Sequence, residues 1–344
     1  MRLGLRDAPM VDARLMHCEL AVPSLFAAPA QFRLPALELL LARGRASHAR
    51  AQSVEQWLAE MFDIDEPLPA GVLTVLGEGT EPGDRHWVRA DPVHLRLMRD
   101  HLILVPSAAF SISREEADSF CEALNRHFSG TLRLHPLRPE RWCAALEEDL
   151  CIDAPSPLDM AGRDIDISLV RGTAGARMQA IVNEAQMVLH AHPINEAREA
   201  RGEPPVNSLW LWGSGRAPAT PTERWQAVLA GDPIALGLAR LAGARSRALP
   251  DSAQAWLDRA PEDGRHLVVL DALRSPFALS QGAEYRSRLE ALERDWFAPL
   301  LAALRAGRIG MISVHVPEAG TSFETIRGDL RRFWRRPRAI EHYA

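Results

Sequence analysis

Six segments in the second half of the chain alternate between the two periodicities that a polypeptide can bury, and this limits the fold more than any other feature. Ser208–Trp212, His266–Asp271 and Ile309–Val316 are brief apolar runs with glycine or proline close to an end, the pattern of buried strands. Ile234–Leu241 and Ala253–Asp258 read as short helices, and Glu284–Arg305 as a long one stopped at Gly307. Ahead of them, Met178, Ile181, Val182, Ala185, Val188 and Leu189 recur at helical spacing and predict an amphipathic helix over Ala176–His190. Apolar strands separated by helices bury both faces in a mostly parallel sheet flanked by helices on both sides, so the fold class expected is α/β.

The first half is less regular. His17–Val22 reads as a strand ended by Pro23, Leu34–Ala42 as a helix closed by Gly44, and Val54–Phe62 as a second helix. Asp63–Gly83 is rich in proline, glycine and acids and reads as loop. Strands are expected at Trp87–Ala90, His101–Val105, Leu132–Leu134 and Trp142–Leu146. Ser113 with Glu116 three residues later forms a capping-box signature for a helix running to about Phe128. The proline-bearing stretch Ile152–Arg163 suggests a boundary, dividing the chain into residues 1–155 and 156–344, although one compact domain also fits. No internal repeat is evident.

Composition narrows the chemistry. All 40 basic side chains are arginine, which excludes a Schiff-base lysine, a P-loop lysine and an ammonium general acid. Cationic recognition must come from guanidinium groups, which suit phosphate and carboxylate. The net charge of −5 argues against general attraction to nucleic acid or to an anionic membrane, so neither is expected as a partner. Cys18, Cys121, Cys143 and Cys151 form no C-x-x-C pair and no zinc spacing. Free thiols in a reducing compartment follow, and with no leader-like run after Met1–Met10 and no membrane-length apolar stretch, the expectation is a cytoplasmic protein.

The densest segment is His190 to Arg216. Asn195, Arg198 and Arg201 share one face of a short helix by their spacing, Gly202 can take the left-handed closing position, and Pro204-Pro205 prevents continuation. The strand that follows enters Gly213-Ser214-Gly215. Ligands in open α/β sheets bind beyond the carboxyl ends of strands, so two guanidiniums, an amide and a glycine turn suit a phosphate or carboxylate. The same arginines, solvated or paired with Glu196 and Glu199, are explained equally well without a ligand. Gly213-Ser214-Gly215 lacks the third glycine and following helix of a dinucleotide fingerprint, and it is not a nucleophile elbow.

The run His192-Pro193-Ile194-Asn195, Arg198, Arg201-Gly202, Pro204-Pro205, Asn207 and Trp212-Gly213-Ser214-Gly215 resembles the archaeal-type cofactor-independent phosphoglycerate mutases. The good match covers about a sixth of the chain and fades towards Gly243. The resemblance implies an alkaline-phosphatase-like α/β fold and a ligand site at His192, Asn195, Arg198, Arg201, Asn207, Gly213 and Gly215. Asn207-Ser208-Leu209-Trp210-Leu211-Trp212-Gly213 and Arg332-Phe333-Trp334-Arg335-Arg336 further resemble a divergent bacterial branch, regulatory proteins of the regulation-of-pathogenicity-factors E type.

Active members of that family use two divalent metals and a Ser or Thr nucleophile, the metals stabilising phosphoryl charge and activating the hydroxyl. Ser24, after the first strand, stands where the nucleophile would, but no Asp-Gly pair precedes it. Asp271, His315 and Glu318, at strand ends, are the available metal ligands; only His315 survives from the Asp-His pair the family carries there. Asp271 as a turn cap and His315 as an ordinary half-buried histidine need no metal. His190-x-His192 has the look of a metal pair but spans a helix end, and Asp63-x-Asp65 and Asp164-x-Asp166 lack a third ligand at calcium-loop spacing.

Two functions follow from the resemblance. One is a non-catalytic regulatory relative that binds a small phosphorylated ligand or a protein partner, with no cofactor. The other is a metal-dependent phosphoglycerate mutase or phosphatase with altered ligands, using Mn or Zn. Nine tryptophans also allow an assembly role. Near the end of the sequence, Arg327, Arg331, Arg332, Arg335, Arg336 and Arg338 surround Phe333 and Trp334. The cluster suits an anion or partner patch, even an RNA contact, but in an acidic chain the expected arrangement is a helix that docks both aromatics on the body and leaves the arginines in water.

Overall fold

The computed structural model describes residues 15–27, 33–64, 67–99, 102–152, 154–165, 175–259 and 263–344. The chain begins with β1 (His17–Ala21), α1 (Pro35–Arg43), β2 (Arg45–His48), α2 (Val54–Met61) and α3 (Ala70–Gly77). It continues through β3 (His86–Leu97), β4 (Leu102–Pro106), α4 (Arg114–His127), β5 (Leu132–Arg138), β6 (Arg141–Leu146), β7 (Asp164–Ile165), α5 (Gly175–His190), α6 (Pro193–Ala200) and β8 (Ser208–Gly215). The last third holds β9 (Ala227–Ala230), α7 (Pro233–Leu241), β10 (Arg245–Ala248), α8 (Ala253–Leu257), β11 (Arg265–Val269), α9 (Arg274–Ala278), α10 (Gly282–Leu292), α11 (Ala298–Ala306), β12 (Met311–Val316) and β13 (Thr321–Ile326).

These strands form two sheets. A seven-stranded sheet has the order β10-β9-β11-β1-β12-β13-β2, with the first five strands mutually parallel and β13 antiparallel to both of its neighbours, β12 and β2. This is the large, mostly parallel, helix-flanked sheet expected of an α/β chain. The middle of the sequence instead builds a wholly antiparallel sheet, β5-β6-β3-β4-β7 with β8 also on β3. Connection length explains the difference. Pro139 and Glu140 alone join β5 to β6, and four residues join β3 to β4, so only hairpins are possible there. Residue 155 lies between β6 and β7 of this one sheet, and β1 and β2 pair with strands from the end of the chain, so the division at 155–156 does not separate the sheets.

Alternation along the parallel strands fixes the layers. Cys18, Leu20, Val268, Ile312 and Val314 face a core covered by α1, α8, α10 and α11. Ala21, Val228, Leu267 and Val269 face the opposite core, filled by Trp57 and Leu58 of α2, Val72 and Leu73 of α3, and Ile234 and Leu238 of α7. Trp87, Cys143, Ala145 and Trp212 of the antiparallel sheet belong to that same core. The outer face of the antiparallel sheet packs Val88, Trp142 and Leu211 against Phe120 and Leu124 of α4 and Ile181 and Leu189 of α5. Five layers result, with α2, α3 and α7 between the two sheets.

The central layer depends on glycine. A Cβ on Gly77 would stand 1.9 Å from Pro233 O, one on Gly237 2.0 Å from Leu73 O, and one on Gly71 2.7 Å from Val88 Cα. Helix α3 falls in the segment expected to be loop, so that expectation is corrected: Ala70–Gly77 is buried almost throughout and lacks the polar face that marks a helix in a sequence. The long helix expected over Glu284–Arg305 is present but passes through a π turn at Glu293–Phe297. Pro299 has no N–H to offer the carbonyl of Asp295, and the ladder slips there. The slip serves α1, because Glu293 accepts the Ala36 and Leu37 N–H groups at 2.6 and 3.1 Å.

Candidate functional site

The segment His192–Gly215 folds as a clamp. His192 caps α6, its Nδ1 accepting from Ile194 N at 3.3 Å and its ring lying 4.7 Å from that of Phe120. Asn195 is buried and donates to Leu189 O and Val206 O at 2.8 Å each, while its Oδ1 accepts from Val206 N at 2.9 Å. Arg198, 1% exposed, donates to Glu116 Oε2 at 2.7 Å and to Pro204 O and Ser111 O at 2.9 Å each. Arg201 donates to Glu116 Oε1 and Glu203 Oε2 at 2.8 Å each. Asn207 accepts from Leu95 N at 2.7 Å and donates to Leu95 O at 2.9 Å.

The face shared by Asn195, Arg198 and Arg201 is therefore real, but its polar groups tie α6 to the end of α5, to Ser111 and Glu116 at the start of α4, and to the segment 203–206. The carboxylates involved are Glu116 and Glu203 rather than Glu196 and Glu199. Glu116 acts twice, since it also completes the capping box of α4. Gly213 and Gly215 do not form a loop beyond a strand; they are the end of β8. Gly213, at φ +58, and Gly215 press on Ala70 and Pro69, where added Cβ atoms would stand 2.4 and 2.7 Å from the side-chain carbons. The sheet continues through them because glycine alone allows α3 so close.

The strand-end residues are closer to chemistry. Ser24 follows β1 at φ +61, 7% exposed, a conformation rare for a residue with a Cβ. Its N–H and Oγ lie 3.3 and 3.5 Å from the Glu318 carboxylate, and its carbonyl accepts from Tyr285 Oη at 2.8 Å. Ser24 and Glu318 thus meet, as a nucleophile and a ligand would. His315 does not join them. Its Nδ1 is 2.9 Å from Ser322 Oγ, its Nε2 is 3.4 Å from Glu19 Oε2, and its ring lies 5.3 Å from Trp57. Burial opposes ionisation of Glu19, but His315 and Arg265 together hold its carboxyl below the usual range.

Among the described residues, no three His, Cys, Asp or Glu side chains stand where they could share a metal ion. His315 Nδ1 is taken by Ser322, and its Nε2, which has no hydrogen-bond partner among the described residues, faces Glu19 rather than Asp271 or Glu318, so these three do not form a site fitted to a metal. His192 serves as a helix cap. Asp65 and Asp166 lie outside the described residues.

Asp271 belongs to a crevice that sequence reasoning left unassembled. It is bounded by Asp232 and Asp271, just past the carboxyl ends of β9 and β11, by Arg274, by Arg89 and Asp91 of β3, and by Arg141 of β6. Its volume is about 210 Å³, and it adjoins a larger depression that shares Glu55, Ser156 and Trp212 with it. Burial, with Asp232 adding to it, pushes Asp271 up to about 6. Arg274 donates to Glu55 Oε1 at 2.7 Å, Ser156 Oγ at 3.1 Å and Asp159 Oδ1 at 3.2 Å. Arg89 donates to Asp91 Oδ1 at 2.5 Å and Thr74 Oγ1 at 3.2 Å, and the other Asp91 oxygen accepts from Trp212 Nε1 at 2.7 Å. The Nε atoms of Arg89 and Arg274 are buried without a partner among the described residues. The signal available in the sequence was the charged pair Arg89 and Asp91, two apart and flanked by Val88, Ala90 and Pro92, which places both on one face.

No family model matches the chain. Curated relatives include the 2,3-bisphosphoglycerate-independent phosphoglycerate mutase of Methanosarcina mazei, 27% identical over 207 residues, 54% of this chain and 49% of that protein. The probable enzyme of the same name from Geobacter sulfurreducens is 27% identical over 237 residues, 64% of this chain and 58% of that one. That of Methanothrix thermoacetophila is 34% identical over 116 residues, 33% and 29% of the two chains. The match thus spans about half the length of the first two relatives. Among solved structures, the PH0037 protein of Pyrococcus horikoshii superposes with a TM-score of 0.56 at 15% identity, covering 90% of this chain and 86% of that one, which shows a shared fold. By sequence, the chain is a relative of the cofactor-independent phosphoglycerate mutases.

Proposed function

We propose that this chain is a non-catalytic, regulatory relative of the cofactor-independent phosphoglycerate mutases, of the regulation-of-pathogenicity-factors E type, that binds a small phosphorylated ligand in the crevice between its two sheets. The observation that carries the reading is the fate of the polar groups. The mutase-like motif spends its arginines and asparagines on internal bonds, and His315 is engaged away from Ser24 and Glu318. Meanwhile the crevice keeps two buried guanidiniums with unpartnered Nε atoms. Guanidinium groups suit a phosphate, and Asp232 and Asp271 beside them suit the hydroxyl groups of a small phosphorylated acid or sugar. The location, beyond parallel strand ends, is where α/β sheets hold ligands.

A second reading, a metal-dependent mutase or phosphatase with altered ligands, is favoured by one feature: Ser24 in a strained turn against Glu318. One experiment separates the two. Purified protein is assayed with 3-phosphoglycerate and a generic phosphate monoester in the presence of Mn²⁺, Co²⁺, Zn²⁺ or Mg²⁺, and the same phosphates are titrated calorimetrically. The proposal expects saturable binding without turnover, weakened in Arg274→Ala. Turnover that disappears in Ser24→Ala would overturn it in favour of the enzyme.

A further inference from the structure

The segment 331–338 does not form the docked helix that its sequence suggests. A 3₁₀ turn, Arg327–Arg331, ends in a series of bends, and Phe333 and Trp334 are 78% and 67% exposed. Two neighbouring large aromatics left in water are a costly arrangement unless something covers them. The exposure is not that of a loose strand of chain. Arg332 donates to Arg43 O at 3.1 Å and Arg335 to Gly44 O at 2.7 Å, while Arg43 donates back to Leu330 O. Asp329 within the 3₁₀ turn and Ile340 beyond the segment are buried, and Tyr343 packs its ring 6.0 Å from that of Phe323. The turn is held at both ends and along its length, with only its aromatic tip released.

Charge surrounds that tip. Residues 327–338 contain six arginines and one acid, Asp329, within a chain whose net charge is −5. Arg331, Arg336 and Arg338 are exposed and have no side-chain partner among the described residues. The net charge of the whole chain argues against an anionic surface, but at a screening length of about 8 Å the local patch decides what the tip meets.

We infer that residues 331–338 form a docking turn for an anionic lipid surface, with Phe333 and Trp334 entering the headgroup boundary and the flanking arginines engaging lipid phosphates. Aromatics at the centre with guanidiniums on both sides match the depth order of a bilayer interface, apolar inside and phosphate outside. Single-stranded nucleic acid fits less well. The two rings meet edge to face, 5.3 Å apart at 82°, so they do not present parallel faces on which successive bases could stack. The attraction is confined to one turn of an otherwise acidic chain, so it would orient the molecule on the surface.

The test is co-sedimentation of the full chain with vesicles of phosphatidylcholine alone and with an equal amount of phosphatidylserine. Expected is binding to the mixed vesicles only, reduced by salt. Binding should be lost in Phe333→Ser/Trp334→Ser and weakened roughly a hundredfold in Arg331→Gln/Arg336→Gln/Arg338→Gln. All these positions are exposed, so an unchanged thermal midpoint verifies that the variants fold. No binding to the mixed vesicles, or equal binding to both kinds, overturns the inference. Undiminished binding by the aromatic variant overturns it too. Retention of a single-stranded oligonucleotide without vesicle binding would assign the turn to nucleic acid instead, and concentration-dependent dimerisation without vesicle binding would assign it to a second copy of this chain.

Discussion

Arg198 and Asp271 are both charged groups removed from water, and the surroundings treat them oppositely. Arg198 has a carboxylate and two carbonyls within 2.9 Å. Removing one partner of such a buried pair strands the other, so Arg198→Ala should cost about 3–5 kcal/mol by urea denaturation, and lysine should not rescue it. A cost below 1 kcal/mol would mean that the clamp is not structural. Asp271 sits beside another carboxylate and is pushed up to about 6 from an ordinary value of 3.8. The native state therefore holds its proton more tightly than the unfolded chain does. That contribution to stability is present in acid and is lost as pH rises through about 6. Asp271→Asn should then be more stable than the parent by about 2–3 kcal/mol at pH 8, with the advantage gone by pH 4. Equal stability at pH 8 would show that the native carboxylate is not penalised. Neither environment was legible from sequence. The spacing of Asn195, Arg198 and Arg201 showed correctly that they share a face, but what lies against that face depends on Glu116, 82 positions earlier than Arg198.

At the scale of elements, local signals succeeded where the neighbours in sequence are also the neighbours in space. The Ser113–Glu116 capping box, the left-handed closure at Gly202 and the helix stop at Gly307 were all readable, because each is settled within one turn of chain. Helix α3 was not, because periodicity requires a polar face and α3 has none. Its glycines, which read as loop punctuation, are contact residues in a helix crossing. Gly77→Ala and Gly237→Ala should each destabilise the fold by about 2–3 kcal/mol, since an added methyl meets backbone atoms that cannot rotate away. Both face the same α3–α7 crossing, so the double variant should lose less than the sum of the singles. Strict additivity in a double-mutant cycle would show that the two glycines relieve separate contacts.

The whole molecule turns on its middle layer. Alternating strands and helices predicted a mostly parallel sheet and located β1, β11 and β12 in it, but the expected strand Ser208–Trp212 belongs to a second, antiparallel sheet, and nothing local showed that the two would share a core. Trp87 and Trp212 reach from the antiparallel sheet into the cluster that holds Val228 of β9 and Val269 of β11. That sharing also makes the crevice, since Arg89, Asp91 and Trp212 come from one sheet and Asp232 and Asp271 from the ends of the other. If the layer couples the sheets energetically, a cavity made on one side should loosen both. Trp212→Ala should cost about 3–5 kcal/mol, and native-state hydrogen exchange should then show the amides of β9 and β11 losing protection together with those of β3 and β8. Loss confined to β3 and β8 would mean that the sheets open independently. In that case the phosphate binding proposed for the crevice, followed calorimetrically, should still fall in Trp212→Ala, because Trp212 lines it, while the parallel sheet keeps its stability.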